Sequence, residues 1–74
     1  MQNIEQYIAD MAAEEICARL RVEYLGEDDE FGPWRAYIEE GKMLLLDRRG
    51  ELYMQSHAET LEEALAELDQ KAGR

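Results

Sequence analysis

Few side chains in this sequence can support nucleophilic catalysis. The chain has one cysteine (Cys17), one serine (Ser56), one threonine (Thr60) and a single histidine, His57, as a base. Ser56 and His57 are adjacent, so on a strand their side chains would point to opposite faces. No pattern places His57 beside Cys17. We therefore expect no catalytic residue and a non-enzymatic protein, with Cys17 a small apolar residue and His57 in the loop before Thr60.

Four consecutive acids at Glu27–Glu30 raise the question of a metal site. Carboxylates are hard ligands suited to calcium or magnesium, and an EF-hand loop alternates them before a bidentate glutamate at position twelve. Contiguous acids point in different directions, and Glu39 does not complete that spacing. The run predicts weak cation binding at most, so we expect no metal site and no cofactor.

The charge of the chain restricts its partners. In 74 residues, 18 acidic side chains face 8 basic ones, for a net charge of −10. This charge repels nucleic acid and anionic lipid, and it attracts basic protein surfaces. A single cysteine forms no intrachain disulfide, and no apolar run has the length of a membrane span. The first residues also do not resemble a signal peptide. We expect one small domain, residues 1–74, in a cytoplasmic protein.

The chain must position these side chains on a small number of elements. Asn3 with Gln6 resembles a capping box, and an apolar stripe follows, which predicts a helix over about 3–14. From residue 16 apolar and polar residues alternate, which predicts a strand over about 16–25. A helix that continues to Leu20 is the alternative. The stripe consists of Ile4, Tyr7, Ile8 and Met11.

Three further strands and a second helix follow from the same patterns. Strands are predicted from Trp34 to Glu39, at MLLL (43–46) and at LYMQ (52–55), with turns at EEGK (39–42) and DRRG (47–50) where Gly41 and Gly50 adopt positive φ. Thr60 caps the last helix, Glu63 completes its capping box and Gly73 ends it. The helix buries Leu61, Ala64, Leu65 and Leu68.

These elements predict an α+β fold with the order α-β-β-β-β-α. Short links favour an antiparallel four-stranded meander, with three strands as the alternative, and both helices pack on one face of the sheet. Residues expected to face the helices are Trp34, Ala36, Ile38, Leu52 and Met54. Residues expected on the opposite, open face are Cys17, Arg19, Arg21, Tyr37 and Tyr53.

The open face has two interpretations. In the first, tyrosine rings and arginine stems cover a short central strand. In the second, the face is an interface for a homodimer or another partner. MLLL is apolar on both sides, so at least two large apolar residues would also lie on the open face, and the sequence leaves both interpretations open. The candidate interface residues are Phe31, Tyr37, Tyr53, Arg19 and Arg21.

The acids follow a regular distribution. Residues four apart on a helix, such as Glu63 and Glu67, lie about 5–6 Å apart, a spacing comparable with phosphates along a nucleic-acid strand. Much of the basic charge falls on predicted strands, which would give the molecule a polarised field. A solvated face explains any single helix equally well. The candidate partner-binding acids are Glu27, Asp28, Asp29, Glu30, Glu59, Glu62, Glu63 and Glu67.

The sequences WRAYIEEGK and AETLEEALAEL, between Trp34 and Leu68, resemble the hairpin-then-helix unit of HicB-type antitoxins. The resemblance covers under half of the chain. The Pro-rich stretch before that helix and a DNA-binding tail are missing, so the antitoxin function is not carried over. In size and charge the chain is similar to phage-encoded anti-CRISPR proteins.

The sequence favours an acidic inhibitor or adaptor that binds a basic surface of nucleic-acid-handling machinery, as an anti-CRISPR protein or another nucleic-acid mimic does. The first alternative is a structural or regulatory homo-oligomer that uses the open face. The second is an antitoxin or immunity protein. The exposure of Phe31 distinguishes a solvated bend from a contact surface. A buried Phe31 favours the bend, and a Phe31 exposed beside the acids favours a contact surface.

Overall fold

The computed structural model describes residues 2–42 and 51–73, with side chains for 2–41 and 54–73. Three antiparallel strands form one sheet in the order β1-β2-β3, which confirms an α+β fold with both helices at the ends of the chain. The strand predicted at 43–46 lies outside the described residues. The elements are α1 Gln2–Ala13, β1 Ile16–Tyr24, β2 Trp34–Lys42, β3 Glu51–Ala58 and α2 Leu61–Ala72.

Both helices pack on the same face of the sheet, as predicted. Ile4 of α1 and Leu68 of α2 are almost fully buried, and they belong to one core cluster with Ile38 of the central strand. Alternation along each strand then assigns the remaining strand residues to the helix face or to the opposite face, the open face of the sequence prediction, which we call the outer face. Small residues on the strands and on α2 let the helices lie close to the sheet: Ala18, Ala36, Ala58 and Ala64.

The turn predicted at EEGK is wrong, because β2 runs through it to Lys42. Glu39 pairs with Arg19 and Gly41 pairs with Cys17 across the β1–β2 ladder. Gly41 is not among the described residues with positive φ. Cross-strand pairing over the full length of β1 outweighs the local turn preference of a glycine between polar residues.

The third strand is longer than predicted and irregular. β3 continues to Ala58, so the expectation that His57 lies in a loop is wrong; it pairs with Arg35. The register shifts between Ile38 and Glu39, whose partners are Met54 and Leu52. One extra residue on β3 at this point is a β-bulge, which period-two alternation does not predict.

The helix-to-strand transition between α1 and β1 occurs without a glycine. Glu15 adopts φ +62°, the left-handed conformation that glycine usually supplies after a helix. The amides of Glu14 and Glu15 still bond to the carbonyls of Met11 and Ala12. The helix therefore ends where the sequence predicted, and the alternative of a helix to Leu20 is wrong.

We expect Glu15→Gly to stabilise the protein by about 0.5–1 kcal/mol, because it removes the left-handed strain of a residue with a Cβ. Urea unfolding with linear extrapolation measures the change. Glu14→Gly is the matched control, since it removes the same charge from a position without positive φ. Equal effects of the two substitutions would contradict the assignment of strain to Glu15.

The cap at the start of α1 comes from the other helix. Asn3 lies inside the first turn, so its predicted capping role is wrong. The Asp69 carboxylate of α2 accepts the Ile4 N–H at 2.9 Å, and the Asn3 amide donates to the Asp69 carbonyl at 3.2 Å. Asp69 thus satisfies a free amide at the helix N-terminus and joins the two ends of the chain.

Replacing Asp69 with alanine should destabilise the protein by about 1 kcal/mol, the typical effect of losing an N-cap side chain. Asp69→Asn keeps an acceptor oxygen and should reduce the stability by less than Asp69→Ala does. Glu67→Ala removes one charge from an exposed position of the same helix and serves as the control. If Asp69→Ala and Glu67→Ala have equal thermal unfolding midpoints, Asp69 does not cap α1.

The second helix begins and ends as predicted. Thr60 is extended, and its hydroxyl accepts the Glu63 N–H at 3.2 Å. Ala64 and Leu68 are buried, with Leu65 packed beside them. Gly73 caps the C-terminus with its amide on the Asp69 carbonyl, in a right-handed rather than a left-handed conformation.

Candidate protein-binding surface

The acidic connection between β1 and β2 is a closed loop. The Leu25 amide donates to the Pro33 carbonyl where the loop begins and ends. Within it, the Asp29 amide bonds to the Gly26 carbonyl at 3.3 Å. Gly26 and Gly32 adopt φ of +99° and +114°, which residues with a Cβ rarely adopt. The sequence predicted a bend at Gly32 and Pro33, and the structure places one there.

Gly32 also fixes the loop against β3. A Cβ on Gly32 would lie 2.6 Å from the carbonyl carbon and oxygen of Ala58. Only a residue without a side chain allows this approach. Gly26, by contrast, has open space around its Cα. The loop is therefore held against the end of the sheet near Gly32 and is open to solvent near Gly26.

The four consecutive acids are not equivalent. Asp29 is half-buried: its carboxylate accepts the Phe31 N–H at 3.0 Å and lies 3.9 Å from Nδ1 of His57. Glu27, Asp28 and Glu30 are exposed. The loop thus uses Asp29 for its own structure and presents the other three carboxylates to solvent.

Phe31 lies on the surface beside these acids. Its side chain is 67% exposed, the highest value among the large apolar residues that the structure describes. The centroid of its ring lies 5.8 Å from that of the His57 ring. The sequence left open whether this loop is a solvated bend or a contact surface, and an exposed Phe31 favours the contact surface.

Exposed acids also lie on α2 and just before it. Glu62 and Glu63 occupy the first turn of α2, where carboxylates interact favourably with the helix dipole. Glu27 of the loop and Glu59 before the helix line one depression of about 380 Å³. We call the exposed acids of the loop, of α2 and of the residues just before α2 the acidic surface: Glu27, Asp28, Glu30, Glu59, Glu62, Glu63 and Glu67.

Basic side chains of the sheet lie on its outer face and contact acids there. Glu39 is 3% exposed, and its carboxylate lies 3.6 Å from Nη2 of Arg19 and 3.9 Å from Nε of Arg21. Arg19 is directly opposite Glu39 in the register and Arg21 is diagonal to it. Both arginines lie on the face predicted from the sequence, whereas the burial of Glu39 between them was not predicted.

The remaining described basic side chains also have partners within the chain. Arg35 bonds to Glu23 at 2.6 Å, and its guanidinium carbon lies 4.1 Å from the ring centroid of Tyr37. The ammonium group of Lys71 donates to the Gln55 carbonyl. Within residues 2–41 and 54–73, by contrast, no ion pair involves a member of the acidic surface.

Tyr37 is on the outer face as predicted, but it is only 3% exposed. Arg35 stacks on its ring, and Arg21 and Gln55 are its cross-strand neighbours. Tyr37 therefore offers little area to a partner, which weakens the open-face interface. The side chain of Tyr53 and the MLLL segment, on which that hypothesis also depends, lie outside the described residues.

Neither Cys17 nor Ser56 is positioned to use His57 as a base. Ser56 is 2% exposed and faces the core next to Ala36. Cys17 of β1 pairs with Gly41 of β2. Arg35 of β2 pairs with Glu23 on one side and with His57 on the other, so His57 lies level with Glu23 in the sheet. Cys17 and Glu23 are six positions apart on β1, which is about 20 Å along the strand.

Among the side chains that the structure describes, in residues 2–41 and 54–73, no three His, Cys, Asp or Glu groups converge as metal ligands would. None of the helices in these ranges combines the length and apolar character needed to cross a membrane.

An aromatic pair that was not predicted from the sequence lies beside Glu27 and Glu59. Tyr24 and Trp34 end β1 and begin β2, pair in register and pack edge to face at 5.1 Å between ring centroids. Tyr24 is 54% exposed. An aromatic residue at each end of an acidic loop is visible in the sequence, but only the register shows that the two rings meet.

Comparison of the chain with protein-family models, curated proteins and solved structures gave no match.

Proposed function

We propose that this protein is a non-enzymatic inhibitor that binds a basic protein surface through its acidic surface. Its most concrete form is an anti-CRISPR-like or other nucleic-acid-mimic protein that occupies the nucleic-acid site of its target. The observation that carries the proposal is the separation of charge. The described basic side chains contact partners within the chain, whereas the acidic surface has no ion-pair partner there.

Electrostatics support a protein target rather than nucleic acid or lipid. A net charge of −10 on a chain of 74 residues repels phosphate groups. The same charge accelerates association with a basic surface and makes the affinity depend on salt. Nucleic-acid-binding proteins present such basic surfaces.

The position of Phe31 supports contact rather than simple solvation. A highly exposed phenylalanine adds apolar area to a surface that is otherwise charged. Aromatic residues are enriched in protein interfaces, where they supply contact area that charge alone does not. The loop therefore combines the groups that steer a basic partner with one that can anchor it.

The test is capture of binding proteins by the tagged chain at low and high salt, followed by competition with duplex DNA and with RNA. We expect retained proteins to be nucleic-acid-binding, to be released by about 0.5 M salt and to be displaced by nucleic acid. Binding that persists at high salt and in the presence of both nucleic acids would refute the proposal.

A charge-matched pair of variants locates the contact. Reversal of Glu27, Asp28 and Glu30 to lysine should abolish capture. Reversal of three exposed acids on α1 and directly after it changes the net charge equally and should preserve most of the capture: Glu5, Asp10 and Glu14. Equal loss in both variants would mean that net charge, rather than the acidic surface, determines binding.

A further inference from the structure

The depression shared by the loop and the start of α2 has a composition suited to one cationic side chain. Tyr24, Pro33 and Trp34 form its apolar walls, and Glu27 and Glu59 are its acids. The two rings meet at an interplanar angle of 67°, so they form two walls rather than one flat stack. Aromatic rings attract cations, most strongly tryptophan, and nearby carboxylates add charge.

The same combination of groups holds an arginine elsewhere in this protein. The Arg35 guanidinium lies over the Tyr37 ring at 4.1 Å and bonds to the Glu23 carboxylate at 2.6 Å. Tyr37 is buried in that arrangement, whereas Tyr24 in the depression is more than half exposed. The depression thus has the aromatic and acidic groups of the internal site without its arginine.

We propose that the depression binds an arginine side chain of the basic partner. The inference rests on the proposed function and specifies how the partner is recognised. A planar guanidinium stacks on an aromatic ring and still has N–H groups for the two carboxylates, whereas lysine presents a compact, strongly hydrated charge. Glu27 and Glu59 have no ion-pair partner among the described residues, so both are available to the ligand.

The experiment titrates the full chain with three capped pentapeptides, each with one variable residue between glycines. The variable residues are arginine, lysine and citrulline, the last matching the shape of arginine without its charge. Trp34 is the only tryptophan of the chain, so its fluorescence reports directly on the depression. Backbone amide chemical shifts measured by NMR locate the contact independently.

We expect the arginine peptide to change Trp34 fluorescence and to shift amides around the depression. The citrulline peptide should bind at least about tenfold more weakly, and the lysine peptide more weakly than arginine. Equal effects of arginine and citrulline would overturn the inference. Equal binding of arginine and lysine would also overturn it, because a point charge would then suffice.

Variants distinguish the depression from the general negative field. Glu27→Gln with Glu59→Gln should weaken arginine binding about tenfold, and Tyr24→Val should weaken it while preserving a strand-forming residue. The charge-matched control is Glu5→Gln with Glu14→Gln, at exposed positions outside the acidic surface, which should bind as the wild type does. Equal weakening by both glutamine pairs would show a counter-ion effect only and refute the site.

The two proposals fail separately. If the depression variants capture the partner as well as the wild type and reversal of the loop acids abolishes capture, the proposed function stands and the arginine site is wrong. If the arginine peptide binds the depression but protein capture is insensitive to salt and to charge reversal, the site stands and the inhibitor hypothesis is wrong.

Discussion

Gly32→Ala should destabilise the protein by about 3 kcal/mol. Two effects add at this position. The backbone has φ +114°, where a Cβ introduces strain of about 1 kcal/mol. The new methyl would also lie 2.6 Å from the Ala58 carbonyl, and the resulting shift of backbone costs about 1–3 kcal/mol.

The measurement is urea unfolding followed by Trp34 fluorescence, with the free energy of unfolding extrapolated to water. A loss of this size is a large fraction of the stability of a domain of 74 residues, which is about 4–11 kcal/mol. Because Gly32 holds the loop against β3, we also expect amide chemical shifts to change at Phe31 and His57.

Gly26→Ala is the matched control in the same loop. Gly26 has φ +99° but nothing within 4 Å of an added Cβ, so the substitution introduces strain without a collision. We expect a loss of about 1 kcal/mol. Equal losses at Gly26 and Gly32 would show that the close approach to Ala58 has no energetic consequence.

Replacing Arg19 and Arg21 together with methionine should destabilise the protein by about 3 kcal/mol. Methionine keeps much of the apolar stem of arginine, so the main change is loss of charge. Glu39, at 3% exposure, would then keep a buried carboxylate without these two cations. Breaking a buried pair from one side typically costs about 3–5 kcal/mol. The half-exposed arginines place the expected loss at the lower end.

A third substitution tests the cause of that loss. Adding Glu39→Met to the double variant removes the buried charge and should restore most of the stability, since apolar replacement of a buried ionic cluster is often neutral or stabilising. The measurement compares the free energies of unfolding of the wild type, the double variant and the triple variant. A triple variant less stable than the double one would contradict the charge explanation and favour loss of packing.

Local patterns in the sequence determined most of the elements. Thr60 capped α2 as expected because an N-cap depends on residues three positions apart. The apolar stripes of both helices and the alternation in β1 and early β2 also identified the helix face of the sheet, because periodicity follows from local backbone geometry. Gly32 and Pro33 marked the bend for the same reason.

Only the tertiary structure decided where partners distant in sequence meet. It replaced the predicted Asn3 cap by the Asp69 carboxylate, extended β2 through a predicted turn and buried Glu39 between two arginines. Each of these depends on the register or packing of another element, which no local pattern encodes.

The acidic surface was determined partly by the sequence and partly by the tertiary structure. The sequence by itself determined the excess of acids, their positions on a loop and a helix, and the shortage of groups for catalysis. The tertiary structure decided which acids face solvent. The Asp29 carboxylate accepts a hydrogen bond from the Phe31 amide, and Glu27 lies in one depression with Glu59 and Tyr24. The physical reason is that charge is a property of composition, whereas the field of a surface depends on which charges the fold pairs internally and which it leaves exposed.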